Sequence, residues 1–469
     1  MTPEIAIMGH PNEGKSSVLS TLAEDDSVRV SPTPGETTRC RTFPVVIDGR
    51  EVLRFTDTPG FQNPGRVLTM LNRLSGDSGD IIRQFREQAR TIPELSDDRE
   101  LLLPVERGAG IIYVVDGSRP VRNVDREEME ILRLTGRPRM AIINCKDEDD
   151  AFLQSWKDEF RKTFNANRVF NAHRATYAER ILLLTALQSI DQDWQPVIGQ
   201  VIAAFQRDWT ARNRATADHI ITMLGDCLRH RLTVEAGEET ADRGREEELV
   251  RQFNRSLAEM ERRTHDKIRG LFKHHIFDYR LPPRSILHED LFNERTWQVL
   301  GLSKKQLAII GGLSGAAVGA GLDAAHAGLS MGVYAALGGA IGALGAIIGG
   351  ETVSANASFM GIKLGGQQLQ IGPVNSINLL LVLLNRALLF YSHTINWAHG
   401  RRDYDKAGAP AGPAPDQMGF TRNWSPARIR ICNAFFKALQ QEGGGDALQA
   451  ESDLRHLLEE VLLEISQQE

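Results

Sequence analysis

Cysteine is scarce in this chain of 469 residues, and no two cysteines stand in the C-x-x-C spacing typical of a zinc site. The four that occur lie far apart in the sequence: Cys40, Cys145, Cys227 and Cys432. Such sparing use of cysteine is typical of a reducing compartment. We therefore predict a cytoplasmic protein without a zinc site.

An excess of basic charge is also lacking, because 55 Lys and Arg stand against 61 Asp and Glu and leave a formal net charge of −6. Nucleic-acid-binding domains typically carry an excess of basic residues, so we expect no specific nucleic acid partner. The N-terminus has no basic stretch followed by an apolar one. We accordingly predict no secretory signal there.

A chain of 469 residues is long enough for two or three domains. The composition changes after about residue 207, where a balanced α/β pattern gives way to helix-forming residues. The predicted divisions are a first domain at 1–207, a helical segment at 208–300, a Gly/Ala-rich and apolar region at 301–405, a linker at 406–416, and C-terminal helices at 417–469.

Residues 9–16 read Gly-His-Pro-Asn-Glu-Gly-Lys-Ser and fit the phosphate-loop pattern G-x-x-x-x-G-K-[ST]. An apolar run at 4–8 predicts a strand before this loop, and residues 16–22 predict a helix after it. Such a turn directs backbone N–H groups and the helix dipole at one point. We expect Lys15 to reach the terminal phosphates of a nucleotide and Ser16 to ligate Mg²⁺. The other binding candidates here are Asn12, Glu13, Gly14 and Ser17.

Two later stretches could complete a phosphate site. Residues 28–40 form a polar loop that could close over the γ-phosphate and supply a threonine to Mg²⁺, with Thr38 as our choice and Thr37 as the alternative. Strands are predicted at 41–47 and 51–55, around an Asp-Gly hairpin turn. The second strand runs into Asp57-Thr58-Pro59-Gly60. There Asp57 could hold a water on Mg²⁺, and the N–H of Gly60 could face the γ-phosphate.

These motifs resemble those of the translation-factor-related GTPases of the Era/TrmE type. The matching pieces are G-x-P-N-x-G-K-S-S at 9–17, T-T-R at 37–39 and D-T-P-G at 57–60, and the resemblance covers about the first 205 residues. It implies an α/β P-loop GTPase domain with a mostly parallel sheet and helices on both faces. It also implies GTP and GDP as ligands, Mg²⁺ bound by Ser16, Thr38 and Asp57, and Lys15 and Thr38 as catalytic residues.

Phe61 follows Gly60, where many small GTPases carry a glutamine that orients water. Phenylalanine cannot do that chemistry, so this chain resembles members that need another group, an ion or a partner to complete the site. Asn12 matches the asparagine that some relatives use to hold K⁺ beside the phosphates, where a cation could replace the charge of an arginine finger. The alternative, that Asn12 merely caps the loop, stays open.

Further strands are predicted at 110–116 and 139–144, the second ending in Asn144-Cys145-Lys146-Asp147. This resembles the N-K-x-D pattern, with cysteine where lysine is usual. Guanine presents two donors, and the Asp147 carboxylate accepts both, whereas adenine has an acceptor at the corresponding ring nitrogen.

We predict the last strand of this domain at 180–184 and its closing helix at 190–206. The residues between them resemble the loop whose backbone contacts the guanine oxygen, which makes Thr185 and Ala186 nucleotide-binding candidates. The long polar segment at 62–110 is either an expanded partner-binding loop or a longer helical crossover.

The second half is mostly helical in pattern. Residues 210–275 keep one apolar face, which predicts a helix packed in its own domain, with a coiled-coil homodimer as the alternative. A hairpin is predicted at 361–374, and helices at 425–441 and 447–468. The apolar helix predicted at 377–397 carries an arginine in its middle, which favours a buried helix over a membrane span.

Residues 306–350 are unusual, because no charge occurs from 306 to 322 or from 324 to 350 and several glycines fall four apart. Glycines at this spacing share one helix face and let two helices approach closely. The stretch is either a membrane-inserting helical hairpin or a soluble Gly/Ala hairpin, so peripheral or integral attachment to the inner membrane stays open.

The layout of this half resembles an uncharacterised helical domain that some bacteria append to Era-type GTPases. We therefore predict a GTP-hydrolysing molecular switch whose helical region acts as effector or membrane-association module, together with an unidentified protein partner. A ribosome-assembly GTPase and a GTP sensor with little intrinsic hydrolysis are the alternatives.

Overall fold

The computed structural model describes residues 2–23, 38–47, 49–145, 151–171, 177–235, 243–272, 285–289, 291–292, 296, 300, 363–365, 368–374, 376–395, 419–441 and 446–467. Apart from short pieces that begin at Ile395 and Ser466, the chain divides into one compact unit that runs to Thr210 and a second that begins at Ala211. The predicted membrane-type stretch at 306–350 and the predicted linker at 406–416 lie outside the described residues.

The first unit contains a six-stranded sheet. Its strands are β1 (Glu4–Met8), β2 (Arg41–Ile47), β3 (Arg50–Asp57), β4 (Gly110–Asp116), β5 (Arg139–Asn144) and β6 (Ala166–Phe170), in the order β2-β3-β1-β4-β5-β6. β2 is antiparallel to β3, and the remaining pairs are parallel. The central strands β1, β4 and β5 are continuous apolar runs because helices cover both of their faces.

Nine helices of the described chain begin within this unit. They are α1 (Lys15–Ala23), α2 (Pro64–Leu71), α3 (Ser78–Gln88), α4 (Ser96–Leu101), α5 (Leu103–Glu106), α6 (Asn123–Leu134), α7 (Leu153–Phe160), α8 (Tyr177–Gln188) and α9 (Gln195–Arg229). One apolar cluster joins the sheet to α2, α3, α6 and α7, and a second joins it to α1, α8 and α9. The α/β fold class with helices on both faces is therefore confirmed.

The crossover between β3 and β4 is helical. It consists of α2 to α5 and two short 3₁₀ turns at Ala89–Thr91 and Pro93–Leu95. Its start is specified locally, because Pro64 occupies the first turn of α2 and the Asp77 carboxylate accepts the N–H of Asp80 at the start of α3. Of the two alternatives for residues 62–110, the structure has the longer helical crossover.

The prediction of a last strand at 180–184 is wrong. Those residues lie in α8, and the sixth strand is β6, which ends at Phe170. The run Ile181 to Leu184 is apolar, but a short apolar run does not distinguish a strand from a buried helix. The closing helix also differs from the prediction, since α9 continues without a break to Arg229.

The second unit holds the later part of α9 together with α10 (Arg243–Leu271), α11 (Ile377–Ile395), α12 (Pro426–Gln440) and α13 (Asp446–Gln467). A small antiparallel sheet has the order β7-β9-β8, with β7 at Leu232–Glu235, β8 at Lys363–Gly365 and β9 at Gln368–Ile371. The predicted hairpin is thus present as β8 and β9. The sequence pattern had not indicated its third strand.

Helix α11 is the one helix of the described chain that is long and apolar enough to cross a membrane, yet 78% of its most apolar window is buried within the protein. Its arginine, Arg386, forms a two-pronged ion pair with the buried Glu261 of α10, where one N–O distance is 3.1 Å, and also donates to the carbonyl of Glu289 at 3.0 Å. The neighbouring Asn385 donates to Thr421 Oγ1 at 2.8 Å and accepts the N–H of Thr421. These contacts agree with the predicted buried domain helix.

Candidate functional site

The phosphate loop connects β1 to α1 at the carboxyl edge of the parallel strands. Geometry requires one glycine of this loop and one glycine of the neighbouring D-T-P-G motif. Gly14 has φ +92°, and a Cβ there would collide with the side-chain amide of Asn144. Gly60 of the D-T-P-G motif approaches so closely that its Cβ would lie 2.7 Å from the backbone nitrogen of Pro11. The end of β3 is thereby held directly against the phosphate loop.

Lys15 lies buried at the start of α1, and its ammonium donates to the loop carbonyls of Gly9 at 3.2 Å and His10 at 2.8 Å. Burial lowers the pKa of Lys15, while the negative charges of Asp57, Glu128 and Glu13 act in the opposite direction. These carbonyls hold the ammonium in the centre of the loop, where a bound phosphate would face it.

The hydroxyl of Ser16 donates to Asp57 Oδ2 at 3.2 Å, which joins the first turn of α1 to the end of β3. Asp57 is 4% exposed. A hydroxyl and a carboxylate that meet at a phosphate loop are the hard oxygen donors that Mg²⁺ prefers. The donor set therefore fits the predicted magnesium site.

Thr38 is exposed, two residues before Cys40. Cys40 is anchored to α4, because its N–H donates to Glu100 Oε1 at 3.1 Å and its thiol donates to the Glu100 carbonyl at 3.2 Å. Burial, reinforced by the charge of Glu100, raises the pKa of this thiol to about 12. The alternative threonine, Thr37, lies outside the described residues.

Phe61 is 1% exposed and belongs to the apolar cluster beneath α2 and α3. Its backbone N–H donates to the Gly9 carbonyl at 3.3 Å. The next two residues are held by a fully buried carboxylate of α4: Asp98 accepts the N–H of Gln62 at 3.0 Å and that of Asn63 at 3.2 Å. The ring of Phe61 therefore serves packing, and α4 contacts the chain at the end of the predicted loop 28–40 and just after the D-T-P-G motif.

The base side of the site begins at Asn144, which is fully buried at the end of β5. Its side-chain amide donates to the backbone carbonyl of Glu13 at 3.1 Å, and its backbone carbonyl accepts the N–H of Gly117 at 3.0 Å. Asn144 thus ties the phosphate loop to the segment expected to recognise the base. Asp147, the predicted guanine acceptor, lies outside the described residues.

Thr185 and Ala186 need a correction. Both lie inside α8, where the Thr185 hydroxyl donates to the Ile181 carbonyl one turn earlier at 2.8 Å. They do not form a loop that follows a strand. The loop after the last strand instead begins at Asn171, and its residues 172–176 lie outside the described part of the chain.

The structure brings the remaining described candidates together at one edge of the sheet: Asn12, Glu13, Gly14, Lys15, Ser16, Ser17, Asp57, Gly60 and Asn144. One carboxylate near them and the side-chain partner of a second were missed from the sequence. Glu128 of α6 accepts from Tyr113 at 2.9 Å and shares a 2.7 Å hydrogen bond with His10 Nδ1. The other is the Glu13 side chain, which pairs with Arg119. No motif marks these partners.

Comparison with known families agrees with this geometry. Residues 4–145 match the family described as 50S ribosome-binding GTPase, and residues 158–463 match a domain of unknown function, DUF3482. The fold and the site define an Era-type P-loop GTPase domain followed by a mainly helical region. The second match covers more than half of the chain, so the protein belongs to the DUF3482 family.

Among curated relatives, GTPase Der of Thermotoga petrophila is 26% identical over 167 residues, which are 36% of this chain and 33% of that protein. GTPase Der of Myxococcus xanthus is 28% identical over 160 residues, which are 34% of this chain and 29% of that protein. The chain thus spans about a third of the length of the curated relatives it matches.

Two solved structures were also matched. Era in complex with MgGDPNP and nucleotides 1506–1542 of 16S ribosomal RNA is 16% identical, with a TM-score of 0.31, over 58% of this chain and 90% of that one. An Era variant of Aquifex aeolicus bound to GDP·AlF₄⁻ is 15% identical, with a TM-score of 0.25, over 50% of this chain and 74% of that one.

Proposed function

We propose that this protein binds GTP and hydrolyses it in a Mg²⁺-dependent reaction, as a molecular switch. The observation that carries the proposal is the convergence of Lys15, Ser16 and Asp57, since Ser16 and Asp57 are in contact and Lys15 is held in the same loop. Ser16, Asp57 and Thr38 are the residues that would hold Mg²⁺, and the bound ion supplies charge neutralisation at the phosphate oxygens.

The chain's own groups have distinct roles in this proposal. The Lys15 ammonium and the backbone N–H groups of residues 12–17 stabilise negative charge that develops on the transferred phosphoryl group. Asn144 holds the phosphate loop in register with the base segment, and Asp147 accepts the two donors of guanine.

No polar side chain directly follows the D-T-P-G motif, because position 61 is a phenylalanine buried in the core. We therefore propose that a K⁺ ion or a partner protein completes the site. Asn12 is exposed, with a left-handed backbone of φ +67°, so its side chain is accessible to a cation beside the phosphates.

The switch role draws support from α4. This helix contacts Cys40, the last residue of the predicted loop 28–40, and Gln62 and Asn63, which follow the D-T-P-G motif. A nucleotide-dependent displacement of either segment would therefore act on the same helix. We further propose that the helical region is the effector of this switch in the cytoplasm. It would act through membrane contact by residues 306–350, through binding of an unidentified protein partner, or through formation of a homodimer.

Turnover by the full chain tests the hydrolytic proposal. We expect Lys15→Ala and Ser16→Ala each to lower GTP hydrolysis by about 100-fold or more, because they remove charge or metal placement at the phosphates. Lys162→Ala is the matched control, since this exposed lysine pairs only with the nearby Glu159 among the described contacts. Near-normal turnover in either loop variant, or equal binding of ATP and GTP, would contradict the proposal.

The same assay separates the proposals for completing the site. We expect faster turnover in KCl than in NaCl at matched ionic strength, with Asn12→Ala abolishing the difference. Equal rates in both salts would leave a group supplied by a partner protein as the means of completing the site. Absent turnover with intact GTP binding would favour the GTP sensor.

A ribosome-assembly GTPase is the second candidate, because residues 4–145 match a family described as 50S ribosome-binding GTPase. Co-sedimentation of the full chain with 50S subunits, in GTP analogue and in GDP, tests it. Nucleotide-dependent co-sedimentation supports this candidate. If the chain co-sediments neither in GTP analogue nor in GDP, the candidate is removed.

A further inference from the structure

Glu13 places a carboxylate inside the phosphate loop, next to Gly14. The residue is 4% exposed, and its backbone carbonyl accepts the amide of Asn144 at 3.1 Å. Its carboxylate turns toward the segment after β4, where it accepts the backbone N–H of Asp116 and two N–H groups of Arg119, one of them at 3.1 Å. One loop residue thereby joins α1, β4 and β5.

A buried negative charge in this loop opposes the binding of a polyanionic ligand. Two like charges a few ångströms apart repel strongly where water is excluded, and the repulsion grows with the number of charged phosphates. The guanidinium of Arg119 neutralises the Glu13 carboxylate at contact distance. Arg122 lies 3.9 Å from the same oxygen but is 43% exposed, so solvent screens it.

Arg119 is itself fixed in place. Its guanidinium donates to the fully buried Asp125 at 2.7 Å and lies 5.2 Å from the centre of the Trp156 ring. The Trp156 indole N–H donates to the Arg119 carbonyl at 2.8 Å. Burial by itself would lower the pKa of Arg119, but its bonds to Asp125 and the charge of Glu13 raise it overall. The positive charge therefore stays permanently beside Glu13.

We propose that Arg119 is a positioning residue for the nucleotide, which neutralises Glu13 and so keeps the phosphate loop compatible with a bound polyphosphate. This inference rests on the proposed binding of guanine nucleotides. Arg119 acts through Glu13, without contact with the ligand, and its removal leaves Asp125 paired with Arg122 at 3.1 Å. Glu13 is then the carboxylate that loses its principal counter-charge.

The experiment compares the affinities of the full chain for guanosine, GMP, GDP and GTP by calorimetric titration. We expect Arg119→Ala to weaken GTP binding by about tenfold or more, with a smaller loss for GMP and little loss for guanosine. Arg119→Lys, which keeps the charge, should retain most of the affinity. Adding Glu13→Gln to Arg119→Ala should restore GTP binding, because the glutamine oxygen can still accept from Asp116 while the unpaired charge is gone.

Arg126→Ala is the matched control, since this exposed arginine of α6 forms a 3.5 Å surface pair with Glu159 of α7. An equal loss of affinity for guanosine and GTP in Arg119→Ala, or a further loss on adding Glu13→Gln, would mean that Arg119 merely maintains structure and would overturn the inference. So would wild-type affinities in Arg119→Ala. If the wild-type chain binds no guanine nucleotide, the proposed function itself fails.

Discussion

Two buried carboxylates anchor the phosphate loop, one from within the loop and one from outside it. Glu13 belongs to the loop and reaches out to the segment after β4, whereas Glu128 lies on α6 and reaches in to His10 at 2.7 Å. Burial raises the pKa of Glu128, although its hydrogen bonds from His10 and Tyr113 partly oppose that change. A loop that must bind phosphate reproducibly is thus fixed through side chains as well as backbone.

A buried histidine in the second unit makes stability depend on pH. Burial lowers the pKa of His265 to about 4, against the attraction of Glu261 at 3.9 Å and with a further lowering by Arg386. The unfolded chain binds this proton below its ordinary pKa of about 6.5, whereas the folded chain does not until about pH 4. The free energy of unfolding should therefore fall as the pH is lowered from about 6.5 to about 4, by at most about 1.4 kcal/mol per pH unit for this group.

We expect His265→Phe to flatten this dependence. The ring of His265 lies parallel to Phe390 with centroids 4.1 Å apart, so phenylalanine keeps the stacking and removes the titration. Chemical unfolding midpoints at pH 7.5 and pH 5.0 measure the effect, with His456→Phe as the exposed control. His393, whose pKa burial also lowers to about 4, remains in both variants and leaves part of the slope. A slope identical to that of the wild type in His265→Phe would refute the assignment.

At the scale of single residues, the sequence predicted those site residues whose roles depend on local spacing. Lys15, Ser16 and Asp57 were identified because their roles depend on fixed spacing within a strand–turn–helix unit or at a strand end. Arg119 was missed because its pairing with Glu13 joins residues 106 positions apart, and nothing in the sequence selects this arginine over its neighbours. The sequence predicted that Phe61 cannot orient water, but the burial of its ring depends on packing against α2 and α3.

Among the elements, α4 is short but occupies a sensitive place. Asp98 and Glu100 hold the residues after Gly60 and those before β2, respectively. Because both carboxylates stand on one helix, the two segments cannot move independently without breaking one of these contacts. The helical crossover thus provides an internal connection between the end of the predicted loop 28–40 and the chain after Gly60.

We expect Asp98→Asn to loosen the chain beyond Gly60. The carboxylate accepts from two backbone N–H groups, and an amide would turn a donor against one of them, at a cost of about 1 to 3 kcal/mol. Hydrogen exchange at Gln62 and Asn63 should accelerate by about tenfold or more, and GTP hydrolysis should slow.

Asp97→Asn is the control for this substitution. It changes the neighbouring residue of the same helix, whose carboxylate accepts only from Ser96 among the described contacts, at 3.3 Å. Unchanged exchange at residues 62–63 in Asp98→Asn would show that α4 does not hold the chain after Gly60.

The error at the last strand has a physical cause. β6 is one of the two edge strands of the sheet, so its residues are mostly half-exposed and it lacks the continuous apolar run of β4 or β5. The run in α8 instead buries Arg180, Leu183, Leu184 and Leu187, which is helical spacing. The central strands could be read from hydrophobicity because they are covered on both faces, and β6 could not.

On the scale of the whole molecule, membrane attachment has two sequence candidates, and the structure argues against one of them. Helix α11 is long and apolar, but its Arg386 is bound to Glu261 and its Asn385 to Thr421, so these polar groups are satisfied inside the protein. A helix inserted in lipid would forfeit those partners. Any membrane contact through an apolar stretch is therefore expected from residues 306–350.

We expect the full chain to float with liposomes of bacterial polar lipids and a variant lacking residues 306–350 to remain with the soluble fraction. A length-preserving variant, Val333→Lys with Leu344→Lys, guards against misfolding of the deletion. Each lysine near the middle of a span costs about 2.5 to 3.5 kcal/mol of insertion free energy, so this variant should also lose flotation. The paired control, Leu448→Lys with Leu463→Lys, adds the same charge at exposed leucines of α13 and should float like the wild type. If the wild-type chain stays soluble, or if both lysine pairs float equally, residues 306–350 do not enter the membrane and the soluble Gly/Ala hairpin is the correct alternative.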